Sequence, residues 1–312
     1  MYTFFMEHYL GDKTMFTHLL VPLDGSHLAE SVLPAAAYLA EKLSASVTLI
    51  HVIEKNAPKE IHGEVHLSEP GEAETYLREV ARRAFPPGIK IEFHVHSTEV
   101  EHVARGIVEH VVEFETDLTI MCTHGRGGMR DLLFGNIAQQ VIALGRTPVL
   151  LVQPTDEGTA PAFTCRRVLV PLDGQPEHER GLIKAKALAR ACAADLGLVM
   201  AVHTIETLPG KWAASRRLMP GSTSEMLAVE FQEANEYLLK HQQELQDSGF
   251  TVTAEVMRGD PALVIADAAQ RFQADLIVLG THARSRMDAF WAGSAAPNIY
   301  KRCRIPLLLI PV

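Results

Sequence analysis

The sequence writes one long pattern twice. FTHLLVPLDGS at residues 16–26 returns as CRRVLVPLDGQ at 165–175, an offset of 149. The echo continues: VTLIHVIE at 47–54 returns as LVMAVHTIE at 198–206, DLTIMCTHG at 117–125 as DLIVLGTHA at 275–283, and TPVLLVQP at 147–154 as IPLLLIPV at 305–312. By then the offset is 158, so the second copy carries nine extra residues between its first strand and its fourth. A repeat of this length denotes two copies of one folding unit rather than one large core.

Within each copy, short and continuously apolar runs alternate with helical stretches. The first copy's strands are read at His18–Pro22, Val47–Val52, Ile89–His96, Leu118–Cys122 and Val149–Val152. Runs that are apolar on both faces suit a parallel sheet covered on each side by helices. Leu28, Val32, Ala36, Leu39 and Leu43 recur at steps of three or four, one stripe facing a sheet. Pro34 lies inside that stretch, where a missing N–H predicts a local bend. Leu182, Ala185, Ala189 and Cys192 form the matching stripe in the second copy.

Strand–helix alternation with right-handed crossovers gives an α/β fold: two tandem, doubly wound, parallel five-stranded sheets. The expected organisation is an N-terminal extension at 1–14, a first domain at 15–153, a linker at 154–164 within QPTDEGTAPAFT, and a second domain at 165–312. Because Met15 begins the repeat, the first fourteen residues read as an extension or as a start placed upstream of the natural one.

Apolar residues make up 47% of the chain and charged ones 21%, enough for a sizeable buried interior. The formal charge of −9 and the lack of a long Lys/Arg run argue against nucleic acid and anionic membranes as partners. The N-terminus lacks a basic segment followed by an apolar one, and no window resembles a membrane span. The four cysteines, Cys122, Cys165, Cys192 and Cys303, are far apart in sequence, which fits a reducing cytoplasm. A soluble cytoplasmic protein is the expectation.

In doubly wound sheets, ligands sit beyond the carboxyl ends of the strands, where strand order reverses. The loops to inspect are therefore Pro22-Leu23-Asp24-Gly25, His51-Val52 and the loop from Cys122; in the second copy they are Pro171–Gly174, His203-Thr204 and the loop from Gly280. Gly125, Gly127 and Gly128 permit close backbone approach, and a helix opening near Gly135-Asn136 would aim free N–H groups at an anion. The alternative reading is a tight turn with no ligand.

The series V-P-L-D-G, H-V, T-H-G-R-G-G-M and F-G-N-I-A resembles the universal stress protein family over nearly the whole chain, as two tandem domains. The resemblance implies an adenine nucleotide alpha hydrolase-like, Rossmann-like fold, with the halves packed as an internal pseudo-dimer and further homodimerisation possible. It also implies a G-x-x-G-x(9)-G-[S/T] loop that binds the phosphates of ATP in one branch of the family; another branch lacks the motif. Here the first loop supplies Cys122, Gly125, Gly135 and Asn136, and the second Gly280, Ala283, Gly293 and Ser294, so neither is intact. The adenine-facing positions fall on Asp24 and Val52, and on Asp173 and Thr204. Aspartate there can accept from an amino or hydroxyl group, or can cap the following helix. Arg126 and Arg130, with Arg284 and Arg286, are candidates to screen phosphate charge or are solvated surface residues. The first copy is the favoured site, because Ala283 places a methyl group where the family uses glycine and Trp291 adds bulk.

His62 and His66, and His94 and His96 two apart on one strand face, suggest a metal, but no Cys or carboxylate completes a recognisable set, so no metal site is expected. His124 and His282 recur beside a turn and suit backbone orientation. No Walker-type loop and no G-x-S-x-G elbow occur, so no catalytic residue is assigned. Cys122 is either a redox-sensitive thiol or a buried structural one. The functional expectation is a stress-response regulator that binds ATP or a related adenine nucleotide, with or without Mg, has little or no hydrolysis, and signals to an unknown protein partner. The alternatives are a scaffold that binds no nucleotide and a slow ATPase.

Overall fold

Five parallel strands form the sheet of the first half, in the order β5-β2-β1-β6-β7. They are β1 (His18–Pro22), β2 (Ser46–Glu54), β5 (Ile91–Val100), β6 (Leu118–Cys122) and β7 (Val149–Val152), with the short antiparallel pair β3 (Glu60–Ile61) and β4 (Glu64–Val65) standing apart. The computed structural model describes residues 15–55, 60–61, 64–123, 136–155, 159–208, 220–281 and 295–312. By contact density the chain divides into two compact units, one holding residues up to Thr164 and the other beginning at Cys165; Leu308–Pro311 cluster with the first.

The apolar runs explain the sheet. Leu19, Leu20 and Val21 of β1, Val47, Leu49 and Ile50 of β2, and Leu118 and Ile120 of β6 are all fully buried. Among the described residues, this unit's helices are α1 (Leu33–Leu43), α2 (Pro70–Ala84), α3 (Val103–Glu113) and α4 (Asn136–Leu144). Val32, Ala36, Leu39 and Leu43 are buried as the helical period requires, whereas Leu28 is only partly so. Pro34 does not bend a helix interior as its sequence position suggested. Residues Ala29–Val32 form a separate 3-10 turn, and Pro34 falls in the first turn of α1, where its missing N–H has no intrahelical partner to lose.

The second half repeats the plan. Strands β8 (Arg167–Leu172), β9 (Asp195–Val202), β10 (Val252–Arg258) and β11 (Leu276–Thr281) lie in the order β10-β9-β8-β11. The chain around β12 (Leu307–Pro311) is tied to β11, since Ile277 N–H donates to Pro306 O and Val312 N–H to Thr281 O. Its helices are α5 (Arg180–Cys192), α6 (Pro220–Asp247), α7 (Pro261–Phe272) and α8 (Ala296–Arg302). The extra length of this copy has a place: α6 spans 28 residues where its counterpart α2 spans 15. Leu182, Ala185 and Ala189 are buried, while Cys192 is partly exposed.

One device recurs at the same point of both units. Asp117, just before β6, accepts from Thr17 N–H (2.8 Å), Thr17 Oγ1 (2.7 Å) and His18 N–H (3.0 Å). Asp275, just before β11, accepts from Arg166 N–H (2.8 Å) and Arg167 N–H (3.0 Å). Each carboxylate thus fixes where the first strand begins against the fourth, and so fixes the ends of those strands five residues later.

Candidate functional site

In the first unit the chain runs outward from β1 through β2 to β5, then returns to the other side of β1 as β6. The crevice between β1 and β6 at their carboxyl ends is the switch point, the place where open α/β sheets leave room for a ligand. A cavity of about 130 Å³ lies there. Pro22, Leu23 and Asp24 line it from β1, Ile50, His51 and Val52 from β2, and Met121 and Cys122 from β6; Val103 and Ile107 of α3 and Ile137 and Ala138 of α4 close it. Five of the expected first-copy positions, Pro22, Leu23, Asp24, Val52 and Cys122, therefore line one cavity.

Local chemistry sets each of these. Leu23 N–H donates to Ile50 O (2.9 Å), which carries β1 past the sheet into the turn. Asp24 Oδ1 accepts from Ser26 N–H (2.9 Å) and Ser26 Oγ (2.7 Å), and Ser26 Oγ accepts from Ala29 N–H (3.1 Å). The residue that satisfies the opening of the helical stretch is thus Ser26. Asp24 holds Ser26 rather than capping the helix itself, and remains at the cavity wall. Gly25 turns the chain with φ +94°, and a Cβ there would stand 2.9 Å from the Leu67 side chain.

His51 is fully buried, with Nδ1 2.8 Å from Leu23 O and Nε2 3.0 Å from Leu67 O. Both oxygens can only accept, so a neutral ring makes one of these bonds and the protonated ring makes both. The protonated ring thus ties the turn after β1 to the segment leading into α2, and a neutral ring holds one of the two. Next to it, His66 lines the same cavity, is 7% exposed, and has no hydrogen-bond partner for either ring nitrogen among the described residues. An imidazole buried without partners is costly unless something else completes it. Sequence reasoning weighed His66 only as a metal ligand with His62, which lies outside the described residues; the signal it missed is position, since only the fold brings residue 66 back over the end of β2.

Cys122 closes β6, is buried, and has its thiol pushed up to about 12, first by burial and then by the charge of Asp24. It is a neutral structural thiol and not a thiolate, which removes the redox-sensor reading. Asn136 opens α4, as the sequence placed it. Gly125, Arg126 and Gly135, with His124, Gly127, Gly128 and Arg130, lie outside the described residues, as do Ala283, Gly293 and Ser294, with His282, Arg284, Arg286 and Trp291.

The second unit arranges its counterparts differently. Asp173 is exposed and engaged: Oδ1 accepts from Gln175 N–H (3.0 Å) and Oδ2 pairs with His178 Nδ1 (2.7 Å). Gly280 is the last residue but one of β11, the equivalent of β6, and a Cβ built on it would stand 2.8 Å from both Cα and O of His178. The backbone of the 3-10 turn Pro176–Glu179 thus comes up against the strand end. Thr204 lies past the end of β9. It lines a separate depression with Ser224, Leu227 and Arg258, and its N–H donates to Thr207 Oγ1 (2.7 Å) in a local turn. Pro171 sits in β8, in register with Val199 of β9.

Comparison with known proteins follows this geometry. A family model described as Universal stress protein family matches residues 15–153 and again 164–311. A universal stress protein of Methanocaldococcus jannaschii is 30% identical over 148 residues, which is 45% of this chain and 84% of that protein. The Bacillus subtilis universal stress protein YxiE is 24% identical over 151 residues, 45% of this chain and all of that protein. Among solved structures, a universal stress protein from Archaeoglobus fulgidus aligns with a TM-score of 0.69 at 17% identity, covering 96% of this chain and 98% of the other. A putative universal stress protein from Pseudomonas aeruginosa aligns with a TM-score of 0.67 at 17% identity, over 96% and 94%. These two relatives match a little under half of the chain, and the two solved structures match nearly all of it. With two matches of one domain model, a repeated Asp-fixed sheet and a mostly parallel strand order in each unit, this chain belongs to the universal stress protein family as a tandem, two-domain member.

Proposed function

We propose that the protein is a regulator whose first unit holds ATP or a related adenine nucleotide at the carboxyl ends of β1, β2 and β6, with little or no turnover. The observation that carries this reading is the buried, unpartnered His66 facing a cavity that also gathers Asp24, Val52 and Cys122. A base edge offers both donors and acceptors, which an imidazole and an aspartate can complement, while Val52, Ile50 and Ile107 supply the apolar walls a purine face prefers. Phosphates would extend toward the opening of α4 at Asn136, where the first N–H groups of a helix favour an anion.

Asp173, drawn into its pair with His178, and Gly280, backed by the His178 main chain, support a second unit that holds nucleotide weakly or not at all. The same reading includes a cytoplasmic location, pairing of the two halves as an internal pseudo-dimer, and a protein partner that reads occupancy. In line with the location, among the described residues no helix is long and apolar enough to cross a membrane.

Thermal unfolding of the full chain with ATP, ADP and AMP tests the reading, because a ligand that binds only the folded state must stabilise it. The expectation is a concentration-dependent rise in Tm with at least one of the three. No rise at millimolar nucleotide favours a scaffold that binds none, and phosphate release above that of a Gly135→Arg control favours a slow ATPase.

A further inference from the structure

The outer edge of the first sheet carries three imidazoles with no part in the cavity. His94 and His96 are two residues apart on β5 and therefore share a face. The opposite face of the strand is turned to α2, where the Arg78 guanidinium lies over the Phe93 ring (5.1 Å). Helix α3 packs on the histidine side and brings buried His110 against both, with ring centroids 4.4 Å from His94 and 4.9 Å from His96. One ring nitrogen from each of the three lies within 4.8 Å of the others.

The hydrogen bonds within the group show which ring nitrogens carry hydrogen. Glu113 Oε2 lies 2.7 Å from His110 Nδ1, which fixes the hydrogen of a neutral His110 on Nδ1 and leaves an electron pair on Nε2. That Nε2 is 2.8 Å from His96 Nδ1, so a neutral His96 donates there. His94 Nε2 is buried and has no partner among the described residues. Phe114 covers the group, stacked on His110 and edge-on to His94.

We propose that His94, His96 and His110 bind a divalent transition-metal ion of the zinc class, with Glu113 orienting His110 from behind. Three neutral imidazoles are a known zinc donor set, and a carboxylate on the far nitrogen of a ligating histidine is its usual companion. Binding needs His96 to move its ring hydrogen from Nδ1 to Nε2, with no net change in protons, and the three nitrogens to draw together toward the ~3.3 Å spacing that Zn–N bonds of about 2.0–2.1 Å impose. The fourth position is left for water. Such an ion ties α3 to β5, two elements otherwise joined at this point by one His–His hydrogen bond and ring contacts.

The test is a titration of untagged, chelator-treated full chain with Zn²⁺ by calorimetry, and with Co²⁺ by its visible spectrum, which reports four-coordinate geometry. The wild type should take up one ion at this site, and its Tm should rise with Zn²⁺. The double variant His94→Gln/His96→Gln sits on a sheet edge, where both side chains are partly exposed, and should remain folded by circular dichroism while losing that ion and the Tm rise. Glu113→Gln should weaken binding by ~10–100-fold without changing the stoichiometry. Absence of Zn²⁺ and Co²⁺ uptake by the wild type, or uptake unchanged in the folded double variant, would overturn the proposal.

Discussion

Replacing His66 with leucine should make the protein more stable and its nucleotide binding worse. Both ring nitrogens of His66 are buried without partners among the described residues, and an unsatisfied buried polar group costs ~1–3 kcal/mol. Leucine fills a similar volume and brings no such group, so the free protein should gain roughly 1–3 kcal/mol. At about 3 °C per kcal/mol for a domain of this size, that is a rise in Tm of about 3–9 °C. If His66 hydrogen-bonds the ligand, the same change removes an interaction worth ~0.5–1.5 kcal/mol, or about 2–12-fold in Kd. Scanning fluorimetry on the full chain, with and without ATP, reads both effects, and calorimetry gives the Kd. His66→Gln, which keeps a donor and an acceptor, should retain more affinity than His66→Leu. A lower Tm for the free leucine variant would mean that His66 is already satisfied. An unchanged Kd would mean that it does not touch the ligand, and either result refutes the reasoning.

Other consequences follow from the same contacts. Asp117→Ala removes an acceptor that holds two backbone N–H groups and a hydroxyl, and Asp275→Ala one that holds two N–H groups. Both should destabilise by about 1–3 kcal/mol in urea unfolding, with the Asp117 variant the worse, since the bonds are charge-assisted but partly solvated. Gly280→Val should cost ~1–3 kcal/mol, because its Cβ meets the His178 backbone, which cannot swing away as a side chain would; melting temperatures compared with wild type check it. The Cys122 thiol, raised from 9.0 to about 12, should resist alkylation in the folded protein at pH 8 and react on unfolding. Its sign in stability is also fixed. The folded state holds the proton more tightly, so the contribution is complete below pH 9 and is lost as pH rises from there toward 12, which Cys122→Ala should abolish in alkaline unfolding curves.

What the sequence disclosed followed burial. Strands β1, β6 and β7 fall at the expected residues because they are central or covered on both faces, and their continuous apolar runs have clear ends. Strand β5 begins at Ile91 and runs on to Val100, not 89–96, since an edge strand is half-exposed and its polar residues, Glu92 to Glu99, carry no boundary signal. Pro34 was read as an interior residue because the periodic stripe begins before it; periodicity alone does not distinguish a 3-10 turn from the first turn of an α-helix. Asp24 and Val52 line one cavity at the strand ends to which the strand-end rule points, a rule that depends only on topology. Thr204 also lies past a strand end, in a local turn with Thr207, and lines a depression with Ser224 and Leu227 of α6. His110 had no signal of its own. It looks like one more residue on an amphipathic helix, and only the packing of α3 on β5 sets it between His94 and His96.

One strong nucleotide site per chain, in the first unit, is what the proposed function requires. The direct measurement is the stoichiometry of ATP bound per full-length chain by calorimetry, in the wild type and in Ala138→Trp, which places an indole at the wall of the first cavity. The account predicts one ATP per chain and none in the variant. Two equivalent ATP molecules per chain, or one that survives Ala138→Trp, would contradict it.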